Sequence, residues 1–367
     1  MSRIKRIVLQ GLGAKTKNYI IMRKFLFFER LKRAALLSLL VCVAGTAKSL
    51  AQTQVATLQH GEETTAFYGV NAFVEAHEAA ESGDIITLSS GNFVPTDITK
   101  GITLRGAGVA VDTLAGTLPT VIGGDLSLEM EDESEILSIE GILFTNIVRY
   151  GYLMNPTFTR CNFTSIDIDF YGGWMQNAQF INCYIDTFYH VQAYSTQFVN
   201  CVVWNIFDIN NDSSASFVNS ILFDNQPYSG LLATNSIIVD GGFNHSSTCS
   251  FINCIGIKNS NIPDFTVFGD GYAINCAIYT NYDEVFESFT GFTDDYTFDS
   301  FLEQFILKDE IATGFLGTDG TQVGIHGGPI PYSPYPNYMV RSQVTVAPRS
   351  TIGGQLNIEV EVIEEGE

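Results

Sequence analysis

Six aspartates follow the short apolar runs in the middle of the chain, and they are the residues whose spacing best suits chemistry. They are Asp167, Asp169, Asp186, Asp208, Asp224 and Asp240. If the runs stack on one another, several of these carboxylates share one flank, where mutual repulsion raises pKa values or recruits a hard cation such as Ca²⁺. The candidate metal ligands are Asp208, Asp224 and Asp240. The simpler interpretation is that all six are solvated turn residues, because Asp is common in turns.

Aromatic residues near the same turns suggest a binding surface. They are Trp174, Tyr189, His190, Trp204 and Tyr228. Flat rings pack well against the face of a sugar, and one flank of a repeat protein offers an elongated platform for a glycan chain. Partial burial under a loop is the alternative for these rings, and His190 alone is more often a structural residue than a base.

All of these residues must be positioned by a repeat that returns about every twenty residues. Its phrase is Phe, any residue, Asn, then Cys or Ser, as in QFINC, QFVNC, SFVNS and SFINC. The repeated asparagines are Asn182, Asn200, Asn219, Asn235, Asn253 and Asn275, and an earlier unit places Arg160 where Asn is expected. A fixed period of this size is typical of a solenoid, whose units bury their inner faces only by stacking.

A parallel β-helix explains this repeat better than a leucine-rich repeat does. The inward candidates are Phe, Ile, Val and Cys in short β-rich runs, without the fixed leucines or the helical periodicity that leucine-rich repeats need. Each Asn is then expected to donate its side-chain amide to the Asn of the neighbouring coil, and Cys or Ser fills the interior beside it. A metal site is disfavoured because a ladder spreads ligands along an axis. Disulfides between rungs remain open, although a column of buried thiols is preferred for the six cysteines after residue 51.

The early part of the chain resembles a known family. GVNAFVEAHEAAESGD predicts an amphipathic helix from about Asn71 to Glu81, and GDIITLSSGNF and ITKGITLRGAG predict strands near Ile85–Leu88 and Ile102–Arg105. This order is similar to the N-terminal cap and first coil of right-handed parallel β-helix proteins of the pectin-lyase-like superfamily. The resemblance implies an all-β solenoid with an N-terminal capping helix and a C-terminal helix and hairpin cap. The tail resembles exported surface β-helix proteins of Bacteroidetes-type bacteria, many without an assigned activity.

The superfamily includes polysaccharide lyases and glycoside hydrolases, but none of their motifs carries over. The chain lacks the arginine-rich pattern of the calcium-dependent lyases, and neither Asn-Thr-Asp nor Gly-His-Gly is present. The nearest approach, GIHGG around His326, lies outside the coils. Catalytic residues therefore stay unassigned.

The expected organisation has five parts. Residues 1–51 read as a signal peptide, with basic residues followed by AALLSLLVCVAG. Residues 52–69 are expected to be a linker, 70–285 the parallel β-helix, 286–340 a C-terminal cap with a Gly/Pro-rich loop, and 341–367 a hairpin with an acidic tail. Within the fourth part, a short helix in TDDYTFDSFLEQFILKDE is expected to cover the open end of the solenoid. The chain is thus predicted to be secreted or displayed at the cell surface.

The strongly negative net charge of the chain limits the kinds of molecule that it can bind. The full chain has a formal net charge of −21, and the residues after position 51 carry eight basic against thirty-nine acidic side chains, a net charge of −31. Such a surface repels phosphate backbones, so no nucleic-acid partner is expected. We expect a non-catalytic protein that binds a glycan or another cell-surface partner, with no cofactor and no membrane-spanning segment after cleavage. The alternative is a divergent lyase or hydrolase that uses the Asp flank, with Ca²⁺ as the ion such a flank would hold.

Overall fold

The computed structural model describes most of the chain after residue 53. The described residues are 54–111, 118–130, 132, 134–168, 173–189, 192–207, 214–224, 229–240, 247–258, 267–289 and 304–333, together with the backbone of 341–346 and 358–363. The predicted signal peptide lies outside them.

The described part is mostly β structure. Its strands are β1 Val55–His60, β2 Glu63–Tyr68, β3 Ile85–Leu88, β4 Gly91–Phe93, β5 Thr103–Arg105, β6 Thr120–Ile122, β7 Leu126–Leu128, β8 Ser138–Glu140, β9 Leu143–Tyr150, β10 Tyr152–Met154, β11 Thr157–Thr159, β12 Asn162–Ile168, β13 Trp174–Gln176, β14 Gln179–Ile181, β15 Tyr184–Tyr189, β16 Ala193–Tyr194, β17 Thr196–Val199, β18 Val202–Phe207, β19 Ala215–Val218, β20 Ile221–Asp224, β21 Leu231–Thr234, β22 Ile237–Asp240, β23 Ser250–Ile252, β24 Ile255–Lys258, β25 Tyr272–Ile274, β26 Ala277–Tyr279, β27 Arg341–Val346 and β28 Ile358–Ile363. The helices are α1 Ala72–Ala79, α2 Asp309–Gly314 and a 3₁₀ turn at Tyr282–Glu284.

Strands β3 to β26 form a parallel β-solenoid of about eight turns. Successive turns add one strand each to a twelve-stranded sheet, which ends at β25, and to an eleven-stranded sheet, which ends at β26. A third, three-stranded sheet consists of β10, β13 and β16. The predicted solenoid is therefore confirmed.

The N-terminal strands differ in direction from the rest. Residues 52–69, expected to be a linker, contain β1 and β2, which pair antiparallel, and β1 also pairs antiparallel with β3. Helix α1 buries Ala72, Phe73 and Ala76 in the main hydrophobic core, as its apolar spacing predicts. Near the other end of the chain, β27 and β28 pair antiparallel, the arrangement predicted for a hairpin.

The repeated Asn marks one corner of every later turn. All six repeated asparagines have a positive φ, between 49° and 55°, and so does Arg160 with a φ of 51°. Asn tolerates this left-handed conformation better than most residues, which explains its return at the corner. Arg160 is also buried, and its Nη1 lies 3.3 Å from Glu140 Oε1.

Side chains of one type stack along the interior. The rings of Phe158, Phe180, Phe198 and Phe217 lie parallel in successive turns, with centroids 4.5 to 5.1 Å apart. Burying each ring contributes about 1.5 to 3 kcal/mol relative to leaving it exposed. The Phe of the repeated phrase therefore supplies much of the core.

The small residue after each Asn forms a second buried column. The backbone N–H of Cys183 donates to Cys201 Sγ at 3.4 Å, and that of Cys201 donates to Ser220 Oγ at 3.1 Å. All six cysteines in the described part are free thiols. Burial raises the pKa values of the Cys161 and Cys183 thiols well above their ordinary value. Thiol and hydroxyl thus fill the same position because each satisfies the backbone of the preceding turn.

A second hydrophobic cluster lies on the outside of the eleven-stranded sheet. Neighbouring residues of a strand point to opposite faces, so Val203 faces the main core while Val202 packs against the C-terminal residues. Those residues include Phe286, Leu307 and Ile325. The described part of the predicted C-terminal cap therefore lies along the side of the solenoid. At the last turn, the inward-facing Ile278 is 53% exposed, and residues 290–303 lie outside the described part.

A strap, defined as residues 316–331, runs along the Asn corner. Asn253 Nδ2 donates to Leu316 O at 2.7 Å, Asn200 Nδ2 to Ile325 O at 2.9 Å and to Gly327 O at 2.7 Å, and Asn182 Nδ2 to Pro331 O at 3.4 Å. The strap therefore crosses the turns in the reverse of their order in the chain.

The strap changes the expected Asn ladder. Side-chain hydrogen bonds between neighbouring turns remain at one end of the stack, where Asn275 Nδ2 donates to Asn253 Oδ1 and Asn253 Nδ2 donates to Asn235 Oδ1. Asn182 and Asn200 instead turn their donors to the strap, and their Oδ1 atoms have no hydrogen-bond partner among the described residues. The buried Asn stack is confirmed, whereas its hydrogen bonding is shared between ladder and strap.

Candidate functional site

The three-stranded sheet presents exposed aromatic rings. Strand β10 pairs with β13, placing Tyr152 beside Trp174, and β13 pairs with β16, placing Gln176 beside Tyr194. Tyr152 and Tyr194 are each 38% exposed, and the rings of Tyr152 and Trp174 meet edge to face with centroids 6.1 Å apart. We call Tyr152, Met154, Trp174, Gln176 and Tyr194 the aromatic face.

Alternation and a second asparagine corner hold this face in place. Between the exposed residues, Leu153, Met175 and Ala193 point inward and are buried in the main core. At the end of the strands, Asn177 Nδ2 donates to Asn155 Oδ1 at 3.0 Å, and both asparagines have a positive φ. The rings are thus carried by strands whose inner side chains are anchored in the core.

The start of the face is held by close backbone packing. A Cβ added to Gly173 would lie 2.7 Å from the backbone of Gly151 in the preceding turn. Glycine is therefore required where the chain enters β13.

The aromatic face has no charged side chain on its three strands. Its hydrogen-bonding groups are the phenol hydroxyls, the indole N–H and the amide of Gln176. Rings combined with neutral donors and acceptors suit the apolar C–H face and the hydroxyl groups of a neutral sugar.

In the sequence, Tyr189 comes four residues before Ala193, the first residue of strand β16 in the three-stranded sheet. It is 37% exposed, and its ring stacks on Phe207 of the next turn with centroids 5.1 Å apart. This pair ends strands β15 and β18. Of the predicted aromatic residues, Tyr189 is exposed and Trp174 is partly exposed, and Trp174 lies on the three-stranded sheet itself.

Trp204 lies on a different side of the solenoid. Its ring stacks on Phe223 with centroids 4.3 Å apart, and both pack in the cluster formed with the C-terminal residues. Trp204 therefore follows the alternative interpretation of the sequence, in which an aromatic residue is partly buried instead of binding a glycan. His190 and Tyr228 lie outside the described residues.

The predicted aspartates are only partly described. Asp224 and Asp240 occupy the same register in adjacent turns, and Lys258 follows at that register in the next turn. On strand β12, Asp167 lies at the same register as Arg149 of β9. Asp169 and Asp208 lie outside the described part. The backbone therefore brings two of the three candidate metal ligands, Asp224 and Asp240, to one level.

Asp186 lies apart from that register. Its neighbours Ile185 and Thr187 pair with Val203 and Asn205, which places it at the level of Trp204. Burial raises the pKa of its carboxyl. Within the residues that the structure describes, no group of three or more His, Cys, Asp or Glu side chains is arranged to hold a metal ion.

Sequence reasoning missed Tyr152 and Tyr194. A second, weaker repeat carries the signal: YLMN at residues 152–155 and WMQN at 174–177 place an aromatic residue three positions before an Asn. The third unit, QAYS at 192–195, moves the ring by two positions and ends in Ser195, which also has a positive φ.

Comparison with known proteins gives no relative: no protein family, curated protein or solved structure matches the chain. In the described part of the chain, no helix has the length and apolar composition needed to span a bilayer.

Proposed function

We propose that this protein binds a neutral glycan without cleaving it, through the aromatic face. The observation that carries the proposal is a row of accessible rings, with Tyr152 and Tyr194 exposed and Trp174 partly exposed, on three adjacent strands that have no charged side chain. Because strands lie about 4.8 Å apart, the face spans roughly 10 Å, enough for a short run of sugar rings.

The acidic chain supports a neutral ligand. With a net charge of −21, the protein repels anionic polymers such as uronate-rich polysaccharides. A neutral glycan pays no such cost and retains the stacking contribution of the rings.

The proposal also includes the handedness of the solenoid, the elements that cap its ends, and the export of the protein. The solenoid is right-handed, as in the pectin-lyase-like superfamily that the early coils resemble, with α1 as its N-terminal cap and the C-terminal hairpin as its other cap. The chain is exported by residues 1–51 and acts in the medium or at the cell surface.

The test is affinity electrophoresis of the purified protein in gels containing a neutral β-glucan or polygalacturonate. We expect retardation by the neutral polymer alone, and its loss in Trp174→Ala and Tyr194→Ala. Tyr68→Ala is the matched control, because Tyr68 is 66% exposed on β2, away from this face. Unchanged retardation of Trp174→Ala would refute the proposed site.

One observation favours hydrolysis or lytic cleavage as a second candidate, the shared register of Asp224 and Asp240. Glycoside hydrolases usually need two carboxyl groups that flank the scissile bond, and a shared backbone register brings two aspartates into adjacent turns. The same polymers are therefore incubated with the protein, with Ca²⁺ and with chelator, and the soluble fraction is analysed by mass spectrometry. Oligosaccharides that appear with the native protein and disappear in Asp224→Ala, Asp240→Ala would establish catalysis.

A further inference from the structure

A second surface of the solenoid is uncharged over a much longer distance. It is the outward side of seven adjacent parallel strands of the twelve-stranded sheet, β11, β14, β17, β19, β21, β23 and β25. None of these strands contains Asp, Glu, Lys, Arg or His. In a chain with a net charge of −21, so long a neutral stretch is unusual. We call it the uncharged face.

Two columns of side chains run along this face. One contains amides and hydroxyls, such as Gln179 and Gln197, which pair in register. The other contains β-branched residues, such as Ile181, Val199 and Val218, which also follow one another in register. The register repeats at every strand, so every turn except that of β21, where Leu232 takes the polar position, offers a polar group and a methyl-bearing group side by side.

The face remains open in the described part of the protein. Gln179, Gln197 and Val218 are exposed, and Ile181 and Val199 are partly exposed. The eleven-stranded sheet is different, because outer residues of its later strands, such as Val202, Ile221 and Ile237, are buried under the C-terminal residues. The described C-terminal residues thus cover the later strands of one long face, and among the described residues the other face is left uncovered.

The dimensions of the face indicate what fits it. Six strand spacings of about 4.8 Å give a length of roughly 29 Å, and three residues of strand give a width of about 10 Å. The resulting area of roughly 300 Å² is well below the ~800 Å² per partner of a stable protein interface. A long, narrow polymer suits the face better than a folded partner does.

We propose that the uncharged face binds an extended, neutral β-linked polysaccharide lying along the solenoid axis. An extended pyranose chain advances by nearly one strand spacing per sugar, so successive sugars meet the same pair of groups. The methyl column contacts the apolar C–H face of the rings, and the amide and hydroxyl column binds their hydroxyl groups. This inference rests on the proposed function only for the ligand class, since it uses a different face.

The test compares two ligand lengths by isothermal titration of the purified protein with cellotriose and cellohexaose. Cellotriose is long enough for the aromatic face, and cellohexaose also spans the uncharged face. We expect cellohexaose to occupy two sites. In Val218→Lys, which places a charge at the middle strand, the affinity of the uncharged face falls at least tenfold, while cellotriose binding is unchanged.

Two further variants distinguish a loss of binding from a loss of folding. Gln179→Ala with Gln197→Ala removes exposed hydrogen-bonding groups without adding charge, and it is expected to weaken cellohexaose binding alone. Tyr68→Lys is the control for added charge, since Tyr68 lies on β2 of the same sheet but outside the seven strands. It should bind both ligands as the native protein does.

The outcomes separate the two proposals. If Trp174→Ala removes all binding of cellohexaose, the uncharged face does not bind and the inference is overturned. Loss of cellohexaose binding in Val218→Lys, with no effect of Trp174→Ala, would uphold it and refute the aromatic site. Sedimentation velocity is run in parallel, and a native dimer that Val218→Lys dissociates would show that the face joins two copies instead.

Discussion

Asn200 and Gly327 are joined by a hydrogen bond of 2.7 Å although 127 positions separate them in the chain. The same Nδ2 atom donates to Ile325 O at 2.9 Å. One buried amide therefore holds two points of the strap against the corner of a turn.

Replacing Asn200 by Asp should release the strap in a pH-dependent way. The carboxylate would face two carbonyl oxygens in a buried site, which costs about 3 kcal/mol or more of unfolding free energy. Protonation restores a donor, so the folded state raises the pKa of this Asp. The destabilisation is then small at acidic pH and grows as the pH rises above the unfolded value of about 3.9.

Urea unfolding at several pH values measures this effect. Asn200→Gly is the matched control, because it keeps the positive φ but loses the amide without adding charge. Its cost of about 1 to 3 kcal/mol should not depend on pH. Equal behaviour of the two variants would show that the strap does not depend on this donor.

Gly328 and Gly320 form a natural pair for separating steric clash from backbone strain. Both have a positive φ, 76° and 81°, but a Cβ on Gly328 would lie 2.0 Å from Asn219 Nδ2, whereas one on Gly320 meets nothing within 4 Å. Gly320→Ala should cost about 1 to 2 kcal/mol, the strain of a left-handed residue. Gly328→Ala should cost at least ~1 kcal/mol more, as overpacking usually does. Thermal unfolding of the two variants measures these costs. Equal losses of stability would show that the strap lies farther from Asn219 than this structure places it.

Cys201→Ser should be nearly neutral. Ser220 already accepts the backbone N–H of Cys201 in the same column, so a hydroxyl at position 201 can accept that of Cys183. We expect a change below about 1.5 kcal/mol. Cys201→Ala leaves that N–H without its acceptor and should cost about 1 to 3 kcal/mol. If Ser were as damaging as Ala in urea unfolding, the column would stabilise the protein through packing alone.

Cys276 should react first with thiol reagents. It lies in the last turn, half-buried, and a hydrogen bond from the Cys254 side chain lowers the pKa of its thiol to about 7. The thiolate is the reactive form, so labelling by iodoacetamide should speed up as the pH rises through 7. Cys161 and Cys183 are fully buried and should react only on unfolding. Peptide mass spectrometry identifies the labelled site, and equal labelling of all three would contradict this order.

His60 should make stability fall slightly as the pH rises. Its Nδ1 lies 2.8 Å from Asp84 Oδ1, and that hydrogen bond raises the pKa of His60 above its ordinary 6.5. The stabilisation is complete below pH 6.5 and is lost as the pH rises through the folded-state pKa. The effect is small because the imidazole is exposed. Melting temperatures of native protein and His60→Gln should converge at alkaline pH, and a constant difference would assign the effect to packing.

The repeat made the solenoid predictable, but not its hydrogen bonding. A Phe and an Asn that recur every twenty residues are constrained by their counterparts in neighbouring turns, so a local pattern reports a long-range structure. The strap has no repeat, and its position depends on donors such as Asn182 and Asn200 more than a hundred residues away. Its Gly and Pro residues predict an irregular loop but not the surface that the loop covers.

The candidate site was predictable only in part for a related reason. Trp174 and Trp204 look alike in sequence, since each follows a repeated strand. Burial of Trp204 depends on C-terminal residues such as Phe305, which belong to no coil. Tyr152 lies before the Asn repeat begins, so the strongest signal in the sequence does not reach it.

The strap also limits how this protein can change in length. Solenoids commonly gain or lose whole repeats, because each unit contacts only its neighbours. Here a segment of fixed length is attached at Asn253, Asn235, Asn200 and Asn182. An extra turn inserted among these four would leave the strap too short to reach its last attachment, whereas one inserted before Arg160 would not alter it. Related chains should therefore vary in the number of early turns and keep constant the number that the strap crosses.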